Sequence, residues 1–315
     1  MVRGTWCVRF THHVPRTIES RLENRIMVVY ERAFRVRHYE CDAYGHVNHA
    51  QYVRWMQEAA LDASTAVNYP ISRYEDMGRQ WWIHETDVTY LTPLTYGDTV
   101  VVRTWAESFR RVRSRRVYEL RIAATGELAA TASSDWVFLE TATRRPVRVP
   151  PEMVAAFLPD GSVGESNSEP FPTASPPPPG KFSLRRLVEW RDIDPAQHVN
   201  NSVYLAYIED CGVQVAAHYG WPMMRMVQHG FGIMARRYRI QYLQPAVMGD
   251  EVETATWISD VKRATAVRHY TITRVGDGAL LARAHVLWVW VNLKNGRPIR
   301  IPPDFLACFA PNIAD

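Results

Sequence analysis

Three polar residue types that could take part in catalysis stand together in this sequence, directly before a stretch with helical spacing. They are Asp42, His46 and Asn48, and the same set recurs at the same spacing as Asp194, His198 and Asn200. Both segments read D-x-x-x-H-V-N-[H/N]-x-x-Y, although the residues between the shared positions differ. The recurrence favours a functional role for the set over a chance arrangement.

A carboxylate that faces the start of a helix can act on a polarised carbonyl group. The first-turn amides of a helix have no partner within the helix, and with the helix dipole behind them they stabilise negative charge. Against a thioester carbonyl they would stabilise the developing oxyanion. Asp42 or Asp194 could then attack the carbonyl carbon or take a proton from water. His46 and His198 could orient that water or carry its proton near neutral pH.

Further residues near each motif extend the predicted site. Glu58 and its counterpart Asp210 follow two to three helical turns later and could supply a second acid. The residues expected to contact the substrate are His49, Tyr52, Asn201 and Tyr204. Structural roles compete with these functions, because Asp is common in turns, Asn is a common helix N-cap, and tyrosine often belongs to a core.

The motifs belong to an internal duplication of domain size. Asp194 follows Asp42 by 152 positions, and this offset holds without a gap far beyond the motif. Tyr90-Leu91 returns as Tyr242-Leu243, and Trp136-Val137 returns as Trp288-Val289. Such a long repeat predicts two copies of one domain.

Each copy carries one helix followed by four strands. Apolar residues spaced three and four apart after Asn48 and after Asn200 predict a helix in each copy. Alternating β-branched and aromatic segments predict strands at 81–92, 98–109, 111–124 and 127–140, and again at 233–244, 250–261, 263–275 and 279–292. With a first strand before each motif, this order predicts an α+β domain whose antiparallel sheet packs on one helix.

The remaining segments define the predicted domain boundaries. Residues 1–27 have no counterpart in the second copy and form an N-terminal extension, and Met27 is an alternative start. The first domain is expected at 28–158 and the second at 186–315. Residues 159–185 are rich in proline and predict a linker stiffened by polyproline II geometry.

Composition excludes several classes of protein. The chain has 315 residues, 47% of them hydrophobic and 22% charged, which is ordinary for a globular protein. No apolar segment reaches the roughly 18–20 residues of a membrane span. A net charge of +4 is too weak to indicate nucleic-acid binding. The four cysteines lack metal or disulfide spacing, which predicts reduced thiols, a cytoplasmic location and no metal.

A basic segment in the first copy could bind phosphate. Arg111 and Arg113 lie on one face of a predicted strand, and Arg263 keeps a weaker version in the second copy. A solvated edge face is the simpler interpretation. The functional one is a site for the nucleotide phosphates of coenzyme A.

The motif of the first copy, D-x-x-G-H-V-N-H-A-x-Y followed by Glu58, resembles the hotdog-fold acyl-CoA thioesterases of the 4-hydroxybenzoyl-CoA thioesterase type. Asp194 to Tyr204, with Q-H-V-N-N-x-x-Y, resembles the second hotdog domain of acyl-ACP thioesterases. The resemblance implies a tandem hotdog that forms a pseudo-dimer edge to edge. It also implies sites at the interface, Asp42 and Asp194 as catalytic carboxylates, and no cofactor.

The chain departs from the acyl-ACP pattern in two respects. Those enzymes typically have Asn two residues after the motif Asp, where this chain has Tyr44 and Ala196. They usually keep a competent motif in the second domain only, whereas both copies here keep Asp and His. We therefore predict an acyl-CoA thioesterase that functions in lipid metabolism, with two sites available. The alternatives are an acyl-ACP thioesterase, an acyl-CoA-binding protein without turnover, and a hydratase or dehydratase. Assembly beyond the pseudo-dimer, such as a homo-oligomer, stays open.

Overall fold

The computed structural model describes residues 18–22, 25–159 and 169–314, with side chains from residue 28 onward. Predictions for residues 1–17 and for 160–168 of the linker lie outside these ranges. The first copy contains β1 (Ile18–Leu22), β2 (Arg25–Arg35), α1 (His49–Ala66), α2 (Ile71–Asp76), β3 (Arg79–Tyr90), β4 (Thr99–Arg110), β5 (Arg113–Ile122), β6 (Leu128–Glu140) and α3 (Pro151–Phe157). The second contains β7 (Phe182–Leu187), α4 (Asn201–His218), α5 (Met223–Gln228), β8 (Phe231–Tyr242), β9 (Glu251–Ser259), β10 (Thr265–Arg274), β11 (Leu280–Asn292) and α6 (Pro303–Phe309).

The long helices α1 and α4 begin directly after the two motifs. Asn48 and Asn200 are the N-caps, and the side-chain oxygen of each accepts from the backbone N–H two residues later. This contact satisfies one first-turn donor and fixes the end of the motif loop on the helix. The predicted apolar stripe of α1 is buried, as Val53, Met56 and Ala60 show. Both helices therefore lie on a core with their N-termini at the motif loops.

The eleven strands of the described residues form one antiparallel sheet. Its order is β1-β2-β4-β5-β6-β3-β8-β11-β10-β9-β7. The two copies meet where β3 pairs with β8, in a register that places Glu85 opposite Gln241 and Asp87 opposite Arg239. The predicted α+β tandem hotdog, paired edge to edge, is confirmed. One continuous apolar cluster includes residues of both long helices and of both halves of the sheet.

The structure corrects several boundaries. Ile18–Leu22 pairs with β2, so the predicted N-terminal extension contributes an edge strand. The strand β7 begins at Phe182, inside the segment predicted as linker. The short helices α2, α3, α5 and α6 were missed, because each has only six or seven residues, begins at or directly after a proline, and shows no helical stripe in the sequence. No described helix is long and apolar enough to span a bilayer.

Candidate active site

The motif loop of the second copy holds Asp194 as a hydrogen-bonded carboxylate. One carboxylate oxygen accepts from the Ala196 N–H at 2.9 Å, and the other accepts from Nδ2 of Asn200 at 3.1 Å. The backbone N–H of Asp194 also donates to the carbonyl of His198, which closes the loop. Asp194 forms no ion pair with any described residue. Neutral donors therefore orient the Asp194 carboxylate, and no cation among the described residues neutralises it.

The imidazole of His198 presents one nitrogen without a partner. Its Nδ1 lies 3.2 Å from the carbonyl oxygen of Val199. A carbonyl can only accept, so Nδ1 carries the proton in the neutral ring and Nε2 carries a lone pair. Nε2 is buried and has no hydrogen-bond partner among the described residues. The ring packs edge-on against Trp82 at 5.0 Å between centroids, so the first copy helps to position this base.

The N-terminus of α4 leaves one amide available beside this loop. Asn200 uses its side-chain oxygen on the Ser202 N–H at 2.9 Å, and its carbonyl accepts from Val203. No acceptor for the Asn201 N–H is found within the described ranges. An unsatisfied N–H at the positive end of an 18-residue helix suits a developing oxyanion.

These groups line a cavity of about 780 Å³ between the two copies. The motif loop contributes Asp194, His198 and the start of α4, and the first copy contributes α1, α2 and the inner face of β3 to β6. The volume falls in the usual range for sites that enclose a small ligand. If the carbonyl group of a substrate lay at the motif loop, the rest of its acyl group would therefore have room inside the first copy.

The motif of the first copy has the same local structure and a different environment. Asp42 accepts from the N–H groups of Tyr44 and His46 at 2.8 and 3.1 Å, and Asn48 caps α1. None of these residues lines the cavity described above. The ring of His49 packs among Tyr90, Tyr238 and Trp288, and burial lowers its pKa to about 4. His49 is therefore a packed neutral ring.

A single tyrosine marks the difference between the two motif loops. Ala196, in the motif loop of the second copy, and Gln80, on β3 of the first copy, both line the cavity. Their counterparts are Tyr44 and Gly232, and a Cβ placed on Gly232 would lie 3.6 Å from Cε1 of Tyr44. The tyrosine ring thus occupies the space that Ala196 leaves open. The second motif loop therefore borders the cavity, and activity at the first loop, the other of the two expected sites, stays a prediction.

The structure does not favour Glu58 and Asp210 as second acids. Glu58 lies at the rim of the cavity, more than half exposed, and contacts Arg32 at 3.4 Å. Asp210 is equally exposed and pairs with Arg186 at 2.8 Å. One position earlier on each helix, Gln57 lines the cavity, and the Glu209 carboxylate accepts a hydrogen bond from Nδ2 of Asn48. Burial raises the pKa of Glu209. The helical stripe could have identified both residues, because each directly follows an apolar residue of the stripe in the sequence.

The other predicted contact residues fall into two groups. Asn201 and Tyr204 line the cavity, and the Tyr204 hydroxyl accepts from the Ala246 N–H at 3.0 Å. Tyr52 is buried in the core beside Tyr90. Arg111, Arg113 and Arg263 are exposed at hairpin ends and do not line the cavity. A nucleotide-phosphate role for these arginines stays a prediction.

Fold and site together define a tandem hotdog protein with one motif loop open to an internal cavity. Residues 27–157 match the acyl-ACP thioesterase N-terminal domain family, and residues 188–309 match the thioesterase-like superfamily. Each copy of the chain thus matches a family of thioesterases.

Curated proteins and solved structures are similar over large parts of the chain. A chloroplastic acyl-[acyl-carrier-protein] hydrolase of Cuphea viscosissima is 28% identical over 191 residues, which cover 58% of this chain and 46% of that protein. A putative acyl-CoA thioesterase of Bacillus subtilis is 29% identical over 122 residues, 39% of this chain and 88% of that protein. The crystal structure of a putative oleoyl thioesterase from Lactobacillus plantarum superposes with a TM-score of 0.72 and 20% identity, covering 84% of this chain and 96% of that one. This chain thus spans about half the length of the chloroplastic relative.

Proposed function

We infer that the protein hydrolyses acyl thioesters at one site, formed by the motif loop of the second copy and the cavity of the first. The observation that carries this proposal is the position of Asp194 on the cavity wall, with no cationic partner among the described residues, beside the Asn201 N–H, which has no acceptor among them. His198 lines the same cavity, and its buried Nε2 has no hydrogen-bond partner within the described ranges. Acyl transfer to water needs a base, an oxyanion donor and room for the acyl group, and all three meet here.

The proposed reaction uses these groups in a fixed order. Asp194 activates a water molecule, whose oxygen adds to the thioester carbon while its proton passes to the carboxylate. The carbonyl oxygen becomes an oxyanion that accepts from the Asn201 N–H. When the carbon–sulfur bond breaks, the thiolate leaves and takes up the proton, so the products are a free acid and a thiol. The backbone carbonyl of His198 accepts from the Asp194 N–H and so holds the loop that carries the carboxylate.

We favour an acyl carrier protein over coenzyme A as the carrier of the acyl group. The expectation of coenzyme A rested on two competent motifs and on the arginine segment at 110–116. The first motif loop is filled by Tyr44, and Arg111 and Arg113 lie away from the cavity. The similarity to the carrier-protein hydrolase extends over 191 residues, more than one copy, whereas that to the acyl-CoA thioesterase covers 122.

The test compares matched substrates that differ only in the carrier. The purified protein is given the same acyl group on acyl carrier protein and on coenzyme A, and free thiol is followed. We expect hydrolysis of both and a kcat/KM at least about tenfold higher for the carrier-protein substrate, because a protein carrier adds contacts around the cavity mouth. An equal or higher value for acyl-CoA would contradict the choice of carrier. Tight binding without thiol release would support the non-catalytic alternative, and water addition to an enoyl thioester would support a hydratase.

A further inference from the structure

An arginine lies inside the proposed acyl cavity without a carboxylate partner among the described residues. Arg116 is on β5, its side chain is 7% exposed, and it lines the cavity wall in the first copy. Its one hydrogen bond within the described chain goes from Nη1 to Oγ1 of Thr104 at 3.3 Å. Phe157 lies under the guanidinium at 5.5 Å. A guanidinium has five N–H donors, so most of them are left for whatever occupies the cavity.

Polar side chains surround Arg116 on the cavity side. Ser114 precedes it by two residues on the same strand face and also lines the cavity. Tyr74 and Ser64 line the same cavity, and their hydroxyls lie 2.8 Å apart. An apolar acyl chain would leave most of the Arg116 donors without a partner, and burying such donors against hydrocarbon costs free energy. The cavity therefore has a polar floor, formed by Arg116, Ser114, Tyr74 and Ser64.

The second copy provides an internal comparison. The counterpart of Arg116 is Arg268, which is equally buried and is hydrogen-bonded to Oδ1 of Asn312 at 3.2 Å as well as to Thr256. The counterparts of the other three floor residues are Ala216, Met226 and Ala266. The second copy thus pairs its arginine with Asn312 and Thr256 and has apolar residues in place of the other three floor residues. An arginine with only a structural role would not need the three polar floor residues beside it in the first copy.

We propose that Arg116 and the polar floor bind a carboxylate at the far end of the acyl group, so that the preferred substrate is an acyl thioester of a dicarboxylic acid. A carboxylate is the group that satisfies a buried guanidinium best, because it accepts two parallel N–H bonds and neutralises the charge. Burial lowers the pKa of Arg116, yet arginine keeps its proton in proteins, so the cation persists in the cavity. The proposal rests on the hydrolase function inferred above.

The test uses thioesters of equal chain length that end in a methyl group or in a carboxylate, over a series of lengths. For the wild-type protein we expect kcat/KM to be on the order of 100-fold higher for the carboxylate-ended substrate at the best length. Arg116→Met should abolish this preference. Ser114→Ala, which installs the residue that the second copy has at this position, should reduce it by about three- to tenfold. Arg268→Met is the matched control, and it should leave the ratio unchanged.

A binding measurement separates this proposal from the proposed reaction. Titration of the free dicarboxylic acid into the wild-type and Arg116→Met proteins reports carboxylate recognition without turnover. Hydrolysis of methyl-ended thioesters with no preference that depends on Arg116 would overturn the proposal and leave the hydrolase standing. Binding of the diacid that depends on Arg116, without any hydrolysis, would retain the anion site and remove the reaction. Asp160 is the counterpart of Asn312 in the sequence and lies outside the described residues. If the wild-type protein showed no preference for carboxylate-ended substrates and Asp160→Asn created one, Arg116 would be paired with a carboxylate of the protein itself. That result would also overturn the proposal.

Discussion

At the scale of single residues, the two motifs are nearly identical and their surroundings decide what they can do. Asp194 and Asp42 both accept hydrogen bonds from their own loops. What differs is the residue two positions later, which is Ala196 at the open loop and Tyr44 at the filled one. The motif predicts chemistry that either loop could perform, and we propose that a neighbouring side chain determines which loop a substrate can reach.

Two buried histidines should make the fold sensitive to acid. Burial lowers the pKa of His49 to about 4 and that of His269 to about 4. Histidine in the unfolded chain titrates near pH 6.5, so below that pH the unfolded state binds protons that the folded state excludes. Stability is therefore complete above about pH 6.5 and is lost progressively as the pH falls towards 4.

Urea unfolding at about pH 7 and about pH 5 measures this effect. Each of the two histidines should contribute a loss of roughly 2 kcal/mol in the free energy of unfolding at the lower pH. In His269→Gln the difference between the two pH values should shrink by about that amount. An unchanged difference would mean that the buried ring of His269 does not exclude the proton.

At the scale of elements, the helices determine which acids can reach the site. Glu58 and Asp210 project from α1 and α4 to exposed ion pairs, while Gln57 and Glu209, one position earlier, lie at the motif loops. One residue corresponds to a turn of about 100° around a helix, so adjacent positions face different surroundings. The spacing of the motif in the sequence did not predict which of two adjacent helix positions faces the motif loop.

Neutral replacements of the two exposed acids test this assignment. Glu58→Gln and Asp210→Asn should each change kcat/KM by less than about threefold, since exposed ion pairs contribute about 0–1 kcal/mol. Thermal unfolding of both variants should also stay close to wild type. A loss of a hundredfold or more in either variant would restore the original prediction of a second acid.

Much of the fold could be predicted from the sequence, and the reason is visible in particular elements. The strand predicted at 127–140 is observed as Leu128–Glu140. It could be predicted because side chains along a strand face the core and the solvent in turn, which leaves a pattern in the sequence. The helix after Asn200 was equally clear from its cap and stripe. The cavity could not be predicted, because it depends on which side chains meet across the two copies. Trp82 against His198 and Tyr44 against Gly232 are contacts between residues about 116 and 188 positions apart, and no local pattern encodes them.

At the scale of the whole molecule, the duplication has separated charge between the two central strands. Glu85 and Asp87 lie on β3, and their counterparts on β8 are Arg237 and Arg239. Arg239 is 5% exposed and donates from Nη2 to Glu85 at 2.6 Å, while Arg237 makes two bonds to Asp87. Pairing two identical copies would bring like charges together across this edge. The charges therefore favour pairing of the first copy with the second.

The buried pair at this edge should be important for stability. Arg239→Met leaves Glu85 buried without its cation, and we expect a loss of about 3–5 kcal/mol in the free energy of unfolding. Removing both groups in Glu85→Met with Arg239→Met should restore most of it, because no buried charge is then left alone. A double-mutant cycle by urea unfolding measures the coupling. Additive losses would show that the pair is not coupled.

We propose that the two copies have divided their roles, with Asp194 performing the reaction and Asp42 only shaping its loop. The most direct test is kcat for thioester hydrolysis in Asp194→Asn and Asp42→Asn, the same substitution at equivalent positions. Asp194→Asn should lose about 10²–10⁴-fold, the usual contribution of a positioned general base. Asp42→Asn should stay within about threefold of wild type, since its loop faces the Tyr44 ring instead of the cavity. Equal losses in both variants, or full activity in Asp194→Asn, would contradict the account.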